Sequence, residues 1–336
     1  MSATRRPDTA CWHRLLRGPQ RPPTALCTLV PTLFFQKCPQ NIKMLTDSVS
    51  LKDQYETQGF VIIPGLIAPG KQHELQVACD NIIARTRAGN WPYRRVVGKQ
   101  FPPYGNDGPD SWGVQHVMHP DLAEPVFAEF YTSPELRAAV KLLLDCQDEH
   151  LQMELFNLLI NPASHDFALR WHRDDVKETA SEQEERNALI AWHHGVQWNT
   201  ALYEDGSLYV VPGSHRTPRT AAQRALSVVH NPPDDPSSMP GAIQVILKPG
   251  ETAFYNSNIL HCATYSPDKR RATLHASMGD ARGGTTRARN VLQHGLTWMK
   301  GDRFRGTLNA EGRAMLDKLL TMQQTVGDSI GYSLDN

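Results

Sequence analysis

A chain of 336 residues can bury a sizeable core without disulfide help, and length alone does not choose between one large domain and two small ones. Hydrophobic residues make up 40% and charged residues 21%, with 35 basic residues against 35 acidic. The zero formal net charge argues against a general attraction to nucleic acid or anionic lipid, and no run approaches the ~20 apolar residues of a membrane span.

Six scattered cysteines (Cys11, Cys27, Cys38, Cys79, Cys146 and Cys262) contain no CxxC pair. They argue against a disulfide scaffold or a zinc site and for a reducing, intracellular compartment. Residues 1–43 carry seven Lys or Arg residues and a single acid, Asp8, with no helical or strand period. Such a stretch reads as a basic disordered leader, as an extension upstream of a start at Met44, or as a mitochondrial transit peptide. The cytoplasm is otherwise the expected location.

The folded sequence begins near Leu45. A short helix, a turn at Gly59 and the strand Phe60–Ile63 are followed by a helix with Leu75, Ala78, Ile82 and Ile83 at helical spacing. Residues 90–113 form a long Gly-, Pro- and aromatic-rich loop, expected to be ordered and to wall a pocket with Trp91, Tyr93, Phe101, Tyr104 and Trp112. Ser133 and Pro134 open a further helix as N-cap and first residue.

From residue 150 the texture changes to short strands between turn residues: LQMELFNLLI, HGVQWNTALY, SLYVV, AIQVIL, ETAFYN and RRATLHASMG. Strands after helices, without βαβ alternation, predict a mostly β fold with flanking helices, a sandwich or barrel. The expected organisation is one domain over 44–336. It has a helical front part (44–148), a β core (about 150–280) and a C-terminal helical segment (281–336). The acidic stretch 175–188 is expected to be a solvated surface loop, and RARNVLQHGLTWM to combine core packing with a basic surface.

The chemistry is expected in FALRWHRDDV. His172 and Asp174 are two residues apart, so an extended strand would project both from one face. His261, after an apolar strand, is the candidate third ligand. Two histidines and one carboxylate leave positions open on an octahedral ion, an arrangement suited to Fe(II) that activates O2 and unlike a closed cysteine zinc site. His215, His116, His119 and His193-His194 are expected to be structural.

The order WHRDD, QWNTALYEDGSLYVVPGSHR, PGETAFYNSNILHCATYSPDKRRATLH resembles the phytanoyl-CoA dioxygenase-like branch of the Fe(II)/2-oxoglutarate oxygenases, with Leu208–His215 (LYVVPGSH) among its more specific marks. The resemblance covers about residues 50–300. It implies a double-stranded β-helix, or jelly roll, with 2-oxoglutarate as cosubstrate and iron on His172, Asp174 and His261. It also implies an arginine for the distal carboxylate, whose planar fork pairs with both oxygens. Arg270 and Arg271 both lie at the right distance, and the following residues favour Arg271. Asn157 is a further cosubstrate candidate. Asp205-Gly206 stands where relatives have Asn-Gly, and Ala263 where they often have serine.

The implied reaction hydroxylates or desaturates a small molecule, with secondary metabolism as one expected setting, O2 consumed, and succinate and CO2 released. Ascorbate is the expected activator. The alternatives are a silent jelly-roll protein that binds a metal or small ligand, and a cupin-like enzyme without 2-oxoglutarate. The sequence leaves the substrate and the oligomeric state open.

Overall fold

The computed structural model describes residues 50–96, 110–191, 194–227 and 234–327. Contacts divide the chain into Met1–Asn41 and Ile42–Asn336, and the described residues all belong to the second unit. The expected leader, Phe101, Tyr104 and His193 lie outside the described residues.

In chain order, helix α1 (50–58) leads into β1 (Phe60–Pro64) and α2 (Lys71–Arg87). Next come β2 (Arg94–Val96), β3 (Ser111–Val114), α3 (Pro125–Tyr131) and α4 (Pro134–Leu144). The β-rich half holds β4 (Leu151–Ile160), β5 (Phe167–Ala168), α5 (Glu182–Ile190), β6 (Gly195–Ala201) and β7 (Asp205–Val210). It continues with α6 (Ala221–Ser227), β8 (Ile243–Leu247), β9 (Glu251–Tyr255), β10 (His261–Tyr265) and β11 (Ala272–Asp280). Helices α7 (Ala288–Leu292), α8 (Asp302–Gly306) and α9 (Ala310–Val326) follow.

The strands build two antiparallel sheets, β1-β9-β6-β11-β4-β3-β2 and β5-β10-β7-β8. This is the jelly roll with flanking helices that the sequence led us to expect. Part of the supposed irregular loop instead supplies β2 and β3, which extend the large sheet at one edge.

Helix α4 shows why local sequence suffices for some elements. Ser133 Oγ accepts a hydrogen bond from the amide of Leu136, Pro134 sits in the first turn, and Leu136, Val140, Leu143 and Leu144 are buried. Strands β4, β6 and β11 of the large sheet are buried on both faces because helices cover one side and the small sheet the other. On the helix side Phe156, Trp198, Leu274 and Ala276 join the main core with α2, α3, α4 and α9. On the inner side Leu155 and Leu159 of β4, Gln197 and Asn199 of β6, and His275 of β11 face the roll's interior.

A register shift between Ala276 and Met278 against β4 would leave backbone groups unmatched there. The Tyr131 hydroxyl fills the gap, donating to the Ser277 carbonyl at 2.6 Å and accepting from the Glu154 amide at 2.9 Å. Gly59 is also a requirement of geometry. Its φ is +79°, and an added Cβ would lie 2.4 Å from the His215 ring. His215 thus pins the α1–β1 turn, with its Nε2 3.0 Å from the Glu56 carbonyl, the structural role the sequence suggested.

Candidate active site

His172 is not on a regular strand, which corrects the reading of His-x-Asp as a strand pair. It forms a single antiparallel bridge with His261, amide to carbonyl in both directions at 2.9 and 3.0 Å. The Asp174 amide donates to the Ser257 carbonyl at 2.9 Å. The physical reason is position: the chain leaves the small sheet here, and a bend can turn both side chains inward at the mouth. His261 opens β10, opposite Val210 of β7.

The three side chains offer ligand atoms that all lie within 4.8 Å of one another, the one such group among the described residues. His172 Nε2 is 3.6 Å and His261 Nε2 3.8 Å from Asp174 Oδ1. Each imidazole is oriented through its other nitrogen. His172 Nδ1 lies 2.8 Å from the Arg170 carbonyl, and His261 Nδ1 lies 2.8 Å from the Ile259 carbonyl. A carbonyl can only accept, so both Nδ1 atoms carry the proton and both Nε2 lone pairs face the shared point.

Electrostatics agree with this tautomer. Burial, with the neighbouring imidazole, pushes the His172 pKa down to about 4. Burial likewise brings His261 to about 4. Burial raises the Asp174 pKa, and Gln197 Nε2 donates to Asp174 Oδ2 at 2.5 Å. Neutral imidazoles beside a desolvated carboxylate make a donor set that fits a divalent cation.

The triad opens into a cavity whose wall includes Arg271. Arg271 is buried, and its Nε donates to Asp205 Oδ2 at 3.0 Å. Its two terminal nitrogens are buried and meet no carboxylate, while its Cζ lies 4.6 Å from the Tyr265 ring centre and the Tyr265 hydroxyl is its near polar neighbour. A guanidinium held at one edge by an acid, with no acid on its fork, fits a bidentate carboxylate. Arg270 points elsewhere: it is exposed, bonded to both carboxylate oxygens of Asp80 at 2.8 Å, and lies over the Tyr203 ring.

Asn157 lies on the same inward face of β4 as Leu155 and Leu159, yet it does not line the cavity. Its Oδ1 accepts from the His116 amide at 3.1 Å. Trp91 is buried beside Tyr93 and His119, away from the cavity. Trp112 is also buried, packed on Tyr265 and beneath Arg95.

Several contributors were not apparent in the sequence. Asp205 is the buried counter-charge of Arg271, also bonded by Thr273 Oγ1 at 2.5 Å and the Ser207 amide at 2.9 Å. Its departure from Asn-Gly was the visible signal. Arg95, Asn290, Gln293 and His294 line the cavity, so the segment around α7 supplies wall as well as packing. The acidic stretch is not simply solvated either. It forms α5, where Glu185 is fully buried and bonded by Arg173, Arg219 and Arg224.

Fold and site together define a class, the jelly-roll oxygenases whose cavity opens on two histidines and a carboxylate. The chain belongs to the phytanoyl-CoA dioxygenase family, whose model matches residues 55–272, and it is a 2-oxoglutarate-dependent dioxygenase, an iron-dependent oxidoreductase. No curated protein sequence matches it. Among solved structures, AviO1 from Streptomyces viridochromogenes Tue57 is similar with a TM-score of 0.51 at 17% identity, covering 70% of this chain and 95% of AviO1. EvdMO1 gives a TM-score of 0.51 at 17% identity over 69% of this chain and 50% of its own. EctD from S. alaskensis, solved with bound Fe, gives 0.49 at 18% identity over 69% and 76%. At such identities the likeness to AviO1 and EvdMO1 speaks for the fold alone. No helix among the described residues is long and apolar enough to cross a membrane.

Proposed function

We propose that His172, Asp174 and His261 hold the iron, that Arg271 grips the distal carboxylate of 2-oxoglutarate, and that the enzyme hydroxylates or desaturates a C–H bond of a small polar molecule. The observation that carries this reading is one cavity that joins the converged triad to a buried arginine whose fork meets no acid. A silent binding protein has no need of both. When bound, iron and 2-oxoglutarate supply oxygen activation coupled to decarboxylation, with succinate and CO2 released.

The chain's own residues orient and enclose. The Arg170 and Ile259 carbonyls fix the imidazoles, Gln197 holds the outer oxygen of Asp174, and Asp205 sets the angle of Arg271. The β-sheets and helices enclose this centre on most sides, with the His172 and Asp174 side chains left 14% and 21% exposed. Thirteen of the eighteen lining residues bear a polar group, so a substrate with its own hydrogen-bonding groups suits the wall better than a bare hydrocarbon chain. The intact Asp174 carboxylate favours hydroxylation or desaturation over halogenation, because no room is left for a halide.

An intracellular location is part of the same reading, supported by Cys79, Cys146 and Cys262 as free thiols. Ascorbate is expected to sustain activity. The test is 2-oxoglutarate turnover with Fe(II) under labelled oxygen, with a panel of small polar molecules. Label should enter succinate, and product where hydroxylation occurs. His172→Ala and His261→Ala should abolish iron binding. Full turnover in either variant, or a wild-type protein that binds 2-oxoglutarate and never decarboxylates it, would overturn the proposal.

A further inference from the structure

Between the two ligands of His-x-Asp stands Arg173, whose side chain turns away from the cavity. It is 2% exposed and each of its guanidinium nitrogens is bonded. Nε donates to Glu185 Oε1 at 2.8 Å and Nη2 to the Thr217 carbonyl at 2.9 Å. Nη1 reaches the Ser214 carbonyl at 2.6 Å and also the Asn258 carbonyl.

These acceptors belong to different parts of the chain. Ser214 and Thr217 lie in the turn after β7. Asn258 lies three residues before His261, and Ser214 Oγ accepts from the Leu260 amide at 2.7 Å. One planar cation therefore ties the segment of His172 and Asp174 to the segment that delivers His261. Glu185 closes the arrangement from α5: it also accepts from Arg219 Nε at 3.0 Å and Arg224 Nη2 at 2.7 Å, and is itself fully buried.

We infer that Arg173 and Glu185 act as a positioning clamp that presets the iron-binding triad, with α5 as the lid of the clamp. This inference rests on the triad assignment above. The clamp touches neither metal nor cosubstrate. It fixes where the Nε2 and carboxylate atoms stand before the ion arrives, so its loss should lower metal affinity and disturb ligand geometry more than it lowers overall stability. Lysine at position 173 would keep the charge and lose the fork, which needs fixed directions to three carbonyls and a carboxylate.

Co(II) serves as a stand-in for Fe(II) whose visible absorption reports ligand number and geometry. The full chain would be titrated with Co(II) as wild type, Arg173→Gln, Arg173→Lys, Glu185→Gln and Leu136→Ala. The last removes a buried side chain of α4, remote from the triad, and controls for general destabilisation. Arg173→Gln and Glu185→Gln should weaken Co(II) binding by about 10–100-fold, the range for partners that orient metal ligands, and alter the band shape. Arg173→Lys should recover part of the affinity. Leu136→Ala should lower Tm while leaving the Co(II) Kd within about twofold of wild type.

A folded Arg173→Gln with wild-type Kd and spectrum would overturn the clamp. So would Leu136→Ala weakening Co(II) as much as the clamp variants do. If Arg173→Gln does not fold, Glu185→Gln, which leaves the carbonyl contacts of Arg173 in place, decides the matter by the same criteria. A wild-type chain that binds no Co(II) would overturn the triad assignment, and the clamp with it. Normal wild-type binding with unaffected variants would remove the clamp alone.

Discussion

Adjacent arginines in this chain have opposite fates, and the difference is one of facing. Arg271 stands just before β11 on the inward side, where Asp205 meets its Nε and the side chain lines the cavity. Arg270 leaves outward to Asp80 and Tyr203. Arg271→Leu is therefore expected to weaken 2-oxoglutarate binding by about 1.5–3 kcal/mol, as for a charge-assisted hydrogen bond. Arg270→Leu should shift it by less than about twofold, because an exposed ion pair contributes little. Titration of the anaerobic Fe(II) protein checks both, and the reverse ranking would place the anchor one residue earlier. The pattern Arg271-Ala-Thr-Leu made this choice legible in the sequence. The acid-free fork was not, because it depends on Asp205 taking the Nε edge from 66 residues away.

At the scale of elements, strands and helices were largely readable, while the faces they present were not. Strands β6 and β11 alternate apolar with polar residues, Val196 and Trp198 against Gln197 and Asn199, Leu274 and Ala276 against Thr273 and His275. The pattern reads as a solvent-facing polar side, yet the polar side is largely buried too. Gln197, Asn199 and His275 become inner residues only because β11 lies between β4 and β6 in the sheet. The C-terminal segment shows the same limit. Its helical period predicted packing, yet Asn290, Gln293 and His294 come to line the cavity. We predict that Gln293→Ala loosens coupling: product formed per succinate should fall at least ~5-fold, about 1 kcal/mol of lost hydrogen bonding. Basal 2-oxoglutarate turnover should change less than about twofold. A product-to-succinate ratio equal to wild type would remove this segment from substrate contact.

For the whole molecule, buried imidazoles make stability depend on pH. Burial, with nearby His119 and Arg95, holds the pKa of His116 down to about 3, and His172 and His261 lie at about 4. In the unfolded chain each returns to about 6.5. Between these values the unfolded state binds more protons, so stability is complete above about 6.5 and falls as pH drops toward 4. The slope is ~1.4 kcal/mol per pH unit for each histidine that stays neutral in the folded state. Thermal melts of the metal-free protein should show Tm falling from pH 7 to pH 5, and a flat Tm across that window would contradict the assignment of neutral buried histidines. Fe(II) or Co(II) should raise Tm at pH 7 and lose that effect only as pH falls to about 4 and below, where protonation competes for the same Nε2 atoms. A chain starting at Met44 is further expected to keep full 2-oxoglutarate turnover, because residues 1–43 carry no periodic apolar pattern to add to the core. Loss of folded protein on their removal would refute this.

The amino-acid sequence by itself determined the class of fold and singled out the residues of the candidate triad, and its family resemblance favoured Arg271 over Arg270. Each rests on short-range facts: turn residues that punctuate strands, two ligand-type residues with one between them, an arginine ten residues beyond a histidine. Only the tertiary structure decided that His172 and Asp174 stand on a bend bridged to His261, that Asp205 completes Arg271, and that acidic α5 is buried through Glu185. The reason is that these are matters of partnership across 12 to 89 residues of chain. A buried charge or a bent backbone is tolerated only where a distant group satisfies it. Composition had marked the segment around Glu185 as surface. Three arginines, from elsewhere in the chain, made it interior.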